Sequence, residues 1–147
     1  MDKDDIVFTH ALEVTSEDVE PLYNHVNHAR ALRFMELARL AYLEAIGIPN
    51  DTLIARSLFI VIAEISVVYK RELFQGPIVV TCESPRIEGK SMFLHQRIVN
   101  ERGKVCVEAT YDLRFLCGDT KRSVTPPADF APRFLDGGAS RWNKCLE

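Results

Sequence analysis

The chain of 147 residues has room for one domain of ordinary size, and with 47% apolar and 27% charged residues it folds around a core instead of staying disordered. Its 18 basic and 21 acidic side chains give a formal charge of -3, which lacks the basic excess that a nucleic-acid backbone demands. Cys82, Cys106, Cys117 and Cys145 show no two-residue spacing of a redox or zinc motif and read as free thiols of a reducing, cytoplasmic compartment.

The acidic start Asp2-Lys3-Asp4-Asp5 leads into no apolar targeting segment. In chain order, Ile6 to Val14 is rich in β-branched and aromatic residues and reads as a first strand. Val26 to Ile46 reads as one long helix, stopped by Gly47 and Pro49. Its Ala31, Phe34, Met35, Ala38, Ala41, Tyr42, Ala45 and Ile46 form a wide uncharged face, so the helix is buried on more than one side. Four strand-like stretches follow, Ser57 to Arg71, Ile78 to Ile87, Ser91 to Glu101 and Lys104 to Cys117. Gly76-Pro77, Glu88-Gly89 and Arg102-Gly103 separate them, and consecutive strands are expected to pair antiparallel. Pro85 removes a ladder donor and predicts an edge or a bulge. The apolar run Leu58 to Tyr69 carries Glu64 and falls short of the ~20 residues that cross a bilayer, so no membrane span is expected. The order strand, helix, four strands predicts an α+β domain over residues 1–131, with a five-stranded antiparallel sheet curled around the helix and 132–147 as a C-terminal extension.

Gly89-Lys90-Ser91 ends like a phosphate-binding loop but runs into a strand, and no Gly-x-Ser-x-Gly elbow occurs. No distant residue pair completes a metal site with His25 and His28. The chemistry gathers between the first strand and the helix, where Asp18, Glu20, Tyr23, Asn24, His25, Asn27 and His28 fall within eleven residues. The amides that open a helix are unpaired and carry the positive end of its dipole. A carboxylate opposite such amides attacks a carbonyl or activates water while the amides take the charge growing on oxygen, which is acyl-transfer chemistry. The plainer assignment makes Asp18, Asn24 or Asn27 a helix cap and the histidines surface groups.

Asn24-His25-Val26-Asn27-His28-Ala29-Arg30, followed by Phe34-Met35-Glu36-Leu37-Ala38-Arg39, closely resembles the strand-to-helix segment of hotdog-fold acyl-CoA thioesterases of the 4-hydroxybenzoyl-CoA thioesterase and YbgC type. Val61 to Arg71, the Gly89-Lys90-Ser91 turn and Gln96 to Asn100 resemble later strands of that family, and the likeness spans about residues 5 to 130. The resemblance implies a thioester hydrolase that needs no cofactor, works as a homodimer or a tetramer, and has its acyl site between subunits. The family's catalytic aspartate position holds Pro21 here, and Asn24 replaces a glycine. One inserted residue, Tyr23, restores Glu20 to the aspartate position and Asp18 to the acid before it. The resemblance offers Glu36 on the helix as the alternative carboxylate, although a partner role for Arg33 or Arg39 suits it equally. It places an oxyanion-binding amide near His28, with His25 and Asn24 beside it, and assigns Arg71, Arg86, Lys90 and Ser91 to the coenzyme A part of the substrate. The open edge of the sheet, with Leu58, Phe59 and Ile60 as its apolar surface, is expected to receive a second copy. The displaced acid supports one alternative, a protein that binds acyl-CoA or another apolar ligand without hydrolysing it.

Overall fold

The computed structural model describes residues 5–136. Strand β1 (Ile6–Val14) leads through one 3-10 turn, Ser16–Asp18, to α1 (His28–Ala45). There follow α2 (Asn50–Ala55), β2 (Leu58–Tyr69), β3 (Gly76–Glu88), β4 (Ser91–Asn100), β5 (Val105–Cys117), β6 (Ser123–Val124) and α3 (Ala131–Asp136). One antiparallel sheet runs in the order β1-β3-β4-β5-β2, with β6 added to the end of β5.

Helix α1 starts two residues later than its hydrophobic pattern predicts. The side chain of Asn27 takes the capping position and accepts the Ala29 amide at 2.8 Å. Val26 is committed elsewhere, to a strand-like bridge with Val19 and a hydrogen bond from its amide to the Leu73 carbonyl at 2.8 Å. Ala31, Phe34, Met35, Ala38 and Tyr42 are buried against Ile78, Val80, Met92, Leu94, Ile98 and Tyr111 of the sheet. At roughly 2 kcal/mol for each large apolar side chain removed from water, this face stabilises the fold more than intrinsic helix propensity does.

The β3-β4 and β4-β5 neighbours form as the short turns predict, but β2 does not pair with β3. It lies at the far edge on β5, and the linker 70–75 crosses the end of the sheet past the first turn of α1. The Lys70 and Arg71 amides both donate to the Cys106 carbonyl, and buried Leu73 anchors the crossing. Gly76, at φ +132, turns the chain back into β3 in a region only glycine enters freely. The bulge predicted from Pro85 appears as a register shift between Glu83 and Arg86. The alternation of β5 also holds, with Val107, Ala109, Tyr111, Leu113 and Phe115 buried while Thr110 is exposed.

Two apolar expectations need correction. Of the three residues assigned to the open edge, Leu58 is buried and Ile60 packs on the core; Phe59 is exposed, together with Ile62, Ile65, Val68 and Tyr69 farther along β2. The core also continues past residue 131, where the domain was expected to end, because Phe130 and Phe134 insert beside Phe115 and the Tyr42 hydroxyl donates to the Phe134 carbonyl. The remainder of the expected extension, with Trp142 and Cys145, lies outside the described residues. Burial pushes the Cys82 thiol up to about 12, with Arg39 and Gln96 opposing, so it stays protonated and inert. No helix among the described residues is long and apolar enough to cross a membrane.

Candidate active site

Between Val19 and Val26 the chain closes into a tight loop. The Glu20 amide donates to the His25 carbonyl and the Asn24 amide donates to the Glu20 carbonyl, both at 2.8 Å. Asn24 sits at φ +57, the left-handed conformation that asparagine tolerates in place of glycine. His25 packs its ring 5.6 Å from that of Tyr23, with Nδ1 3.3 Å from the Tyr23 carbonyl.

Asn27 joins this loop to the helix. Its Oδ1 caps the Ala29 amide and its Nδ2 donates to Glu20 Oε1 at 2.6 Å. One side chain therefore fixes both the first turn of α1 and the direction of the Glu20 carboxylate, leaving Oε2 without a protein partner among the described residues. The first turn contains no acidic side chain, so its unpaired amides keep their positive end available.

A cavity of ≈ 520 Å³ opens between this loop and the 69–73 crossing. Glu20, His25, Asn27, His28 and Ala31 line one side, Tyr69, Lys70, Arg71, Glu72 and Leu73 the other, and Val107 of β5 joins them. Tyr69 donates its hydroxyl to the His28 carbonyl at 3.0 Å and meets the His28 ring edge-on. Burial raises its pKa, so it remains a neutral donor. Lys70 pairs with Glu108 at 3.0 Å and Arg71 reaches into an adjoining groove with Arg102. The cavity thus holds a fixed carboxylate and a helix N-terminus on one wall, and Lys70 and Arg71, with Glu72 beside them, on the other. That set suits an electrophilic carbonyl on a chain that carries negative charge.

The other sequence candidates fall elsewhere. Burial works to raise the Asp18 carboxyl, but the Thr15 amide and hydroxyl and the Arg30 guanidinium, at 2.7 Å, overcome it and hold the group below the usual carboxylate range. Asp18 is a structural anchor that ties β1 to α1, and it does not line the cavity. Glu36 pairs with Arg33 and lines a different cavity farther along α1. Of the four residues expected at coenzyme A, Arg71 alone lines the site. Arg86, paired with Glu88, and Lys90 and Ser91 belong to the β3-β4 turn. Ser91 lies opposite Arg114, seven steps along β5 from Val107, or about 23 Å at the usual strand rise. Asn27, read from sequence only as a possible helix cap, also orients Glu20, whereas Tyr69 and Lys70 join the site without having been singled out there. Both arrive only through the crossing of the 70–75 linker. Among the described residues no three His, Cys, Asp or Glu side chains stand together as a metal site.

The thioesterase-like superfamily matches residues 9–134. No curated protein matches the chain. Among solved structures, protein SAV2348 of Staphylococcus aureus, in complex with CoA, superposes with a TM-score of 0.79 at 20% identity, covering 90% of this chain and 84% of its own. YbaW of Escherichia coli, a probable thioesterase, gives 0.71 at 22% identity over 88% and 96%. The DHNA-CoA thioesterase of Staphylococcus aureus gives 0.75 at 15% identity over 95% and 94%. At these identities the likeness speaks for the fold, an antiparallel sheet wrapped around one long helix, which is the hotdog arrangement. With the family match running from β1 through Phe134, the chain belongs to the thioesterase-like superfamily of hotdog proteins.

Proposed function

We propose that the cavity beside α1 hydrolyses an acyl-CoA thioester to the free acid and CoA. One observation carries this reading: Asn27 locks the Glu20 carboxylate onto the cap of α1, in the same cavity as that helix's unpaired amides. The thioester carbonyl oxygen faces the amide at His28, and Glu20 acts on the carbonyl carbon either through water or by direct attack. In the water route Glu20 takes a proton, hydroxide adds to the carbon, the amide holds the oxyanion, and the C–S bond breaks to release the CoA thiolate, which is then protonated. Label recovered in Glu20 after single-turnover hydrolysis in ¹⁸O-labelled water identifies direct attack, with the mixed anhydride then opened by water at the Glu20 carboxyl carbon. Lys70 and Arg71 face the phosphates of the coenzyme.

The unit at work is a homodimer, formed edge to edge through β2. Its exposed Ile62, Ile65 and Val68 and its unpaired backbone edge invite an antiparallel copy. A two-fold axis near the middle of β2 sets the Tyr69 end of one chain against the Leu58 end of the other. That is the end of the sheet where the β3-β4 turn lies, so Lys90 of the partner subunit and Ser91 of the partner subunit approach the coenzyme from across the interface. Light scattering tests the assembly, and a mass near the single-chain 16.7 kDa in an active sample overturns it.

Free-thiol release from a panel of short, medium, long and aromatic acyl-CoAs tests the activity. Turnover above the uncatalysed rate for at least one class is expected. Tight binding of intact acyl-CoA with no thiol released selects the non-catalytic reading that Pro21 at the family's acid position supports.

A further inference from the structure

A second cavity, of ≈ 350 Å³, lies between the later half of α1, α2 and the start of β2, and shares no lining residue with the first. Its walls are mostly apolar, with Leu43, Leu58 and Leu113 joined by the rings of Tyr42, Phe59 and Phe134. Two charged side chains interrupt this surface, Glu36 and Arg39. Glu36 is already paired with Arg33. Arg39 has no ion-pair partner among the described residues. Its Nη1 donates to Gln96 Oε1 at 2.9 Å, and its guanidinium lies 4.2 Å over the Tyr111 ring. Gln96 is itself fully buried and held by donating to the Met35 carbonyl at 3.1 Å, so it presents its oxygen in a fixed direction. The guanidinium is therefore oriented by protein groups on its inner side, with donors left over for the cavity. An arginine set into an apolar wall without a counter-ion is poorly placed for stability, since an apolar side chain of similar length packs there without desolvating a charge. A planar fork of donors at the side of an apolar chamber matches a carboxylate at the end of an apolar chain.

We infer that this cavity receives the tail of the acyl group and that Arg39 selects tails ending in a carboxylate, so that the preferred substrates are thioesters of dicarboxylic acids. The inference rests on the hydrolytic reading above for the identity of the ligand, but its binding test does not. Along α1, Arg39 stands eleven residues from His28, or about 16 Å at the usual helical rise, so the tail must be a chain and not a small acyl group.

Matched pairs of CoA derivatives, methyl-ended and ω-carboxyl-ended with the same carbon count, test this across a series of lengths. Hydrolysis-inert thioethers are used in isothermal titration and the corresponding thioesters in thiol release. At one or more lengths the carboxyl-ended member binds about ten- to a hundredfold more tightly, the range expected of a charge-assisted pair. The preference appears in KM and not in kcat. In Arg39→Met it falls below about threefold, while Arg39→Lys, which keeps the charge without the fork, retains part of it. The comparison is a ratio measured within one variant, which cancels any loss of folded protein. Equal binding of both members at every length in the native protein overturns the inference, as does a preference that Arg39→Met leaves unchanged. Selective binding of the carboxyl-ended thioethers, with no thiol released from any of the corresponding thioesters, supports it and removes the hydrolytic reading instead.

Discussion

Replacing Glu20 by glutamine is the sharpest test of the site, because the structure separates the chemical from the structural consequence. Glutamine retains an oxygen where Glu20 Oε1 accepts from Asn27, so the bridge from the loop to the cap of α1 survives in neutral form. The stability lost is the difference between a charge-assisted and a neutral hydrogen bond, about 1 kcal/mol, or roughly 3 °C in Tm for a chain of this size. What disappears is the oxygen that has no protein partner, the one able to take a proton from water or attack a carbonyl. Loss of a positioned base or nucleophile costs about 10²- to 10⁴-fold in turnover. Glu20→Gln is therefore expected to release thiol at least about a hundredfold more slowly while melting almost as the native protein does. Asp18→Asn and Glu36→Gln, which remove carboxylates committed to Arg30 and Arg33, keep turnover. Native thiol release by folded Glu20→Gln, or an equally deep loss in folded Asp18→Asn, refutes the assignment.

Asn27→Asp preserves the cap on Ala29 but sets a second carboxylate against Glu20 across a 2.6 Å contact, so turnover near neutral pH falls about tenfold or more while circular dichroism stays native. For Asp18 the folded pKa is depressed, so its stabilisation is present above the ordinary carboxylate range and is lost as pH falls through the lowered value. Asp18→Asn should melt lower than the native protein at about pH 7 and together with it near pH 2, and calorimetry that finds a constant gap contradicts the linkage. Phe134 is fully buried, with its ring 5.9 Å from Phe115 and 6.0 Å from Tyr42, so Phe134→Ala should cost about 3 to 5 kcal/mol in urea unfolding.

Local signals in the chain account for most of the fold. The uncharged face of α1, except Ala45, which is exposed, the two-residue alternation of β5 and the bulge at Pro85 each follow from local patterns in the sequence and appear where those patterns placed them. The pairing of β2 does not. Its length and composition fit any position in the sheet, and its place beside β5 follows from how the 70–75 linker crosses the sheet end, which depends on contacts to Cys106 and Val26 far away in sequence. Phe134 escaped for a related reason. A six-residue helix after Pro126-Pro127 has too few turns to show a hydrophobic period, although two aromatic rings from that region complete the core.

The same distinction divides the site. The closeness of Glu20, His25 and His28, which line the cavity, was legible because the loop and the helix start that hold them are continuous in sequence; Asn24 shapes that loop without lining the cavity. There, the resemblance preferred Glu20 over Asp18 only through one assumed insertion. The geometry separates them independently of that insertion: Arg30 and Thr15 consume both oxygens of Asp18, whereas Asn27 takes one oxygen of Glu20 and leaves the other. The opposite wall, with Tyr69 and Lys70, arrives because β2 ends beside the helix start before the chain crosses the sheet. A loop insertion that moves the acid by one position is tolerable under this arrangement. The bridge from Asn27 fixes where the carboxylate points, and the Val19-Val26 closure fixes where the loop begins and ends, so the residues between them can lengthen without moving the reacting oxygen. Leu22 is exposed, and Tyr23, though exposed as well, also lines the rim of the cavity, so part of the added length borders the site. On the proposed reading, Pro21 at the family's acid position leaves the chemistry intact, because Asn27 holds the Glu20 carboxylate from the helix side and not by its distance along the loop.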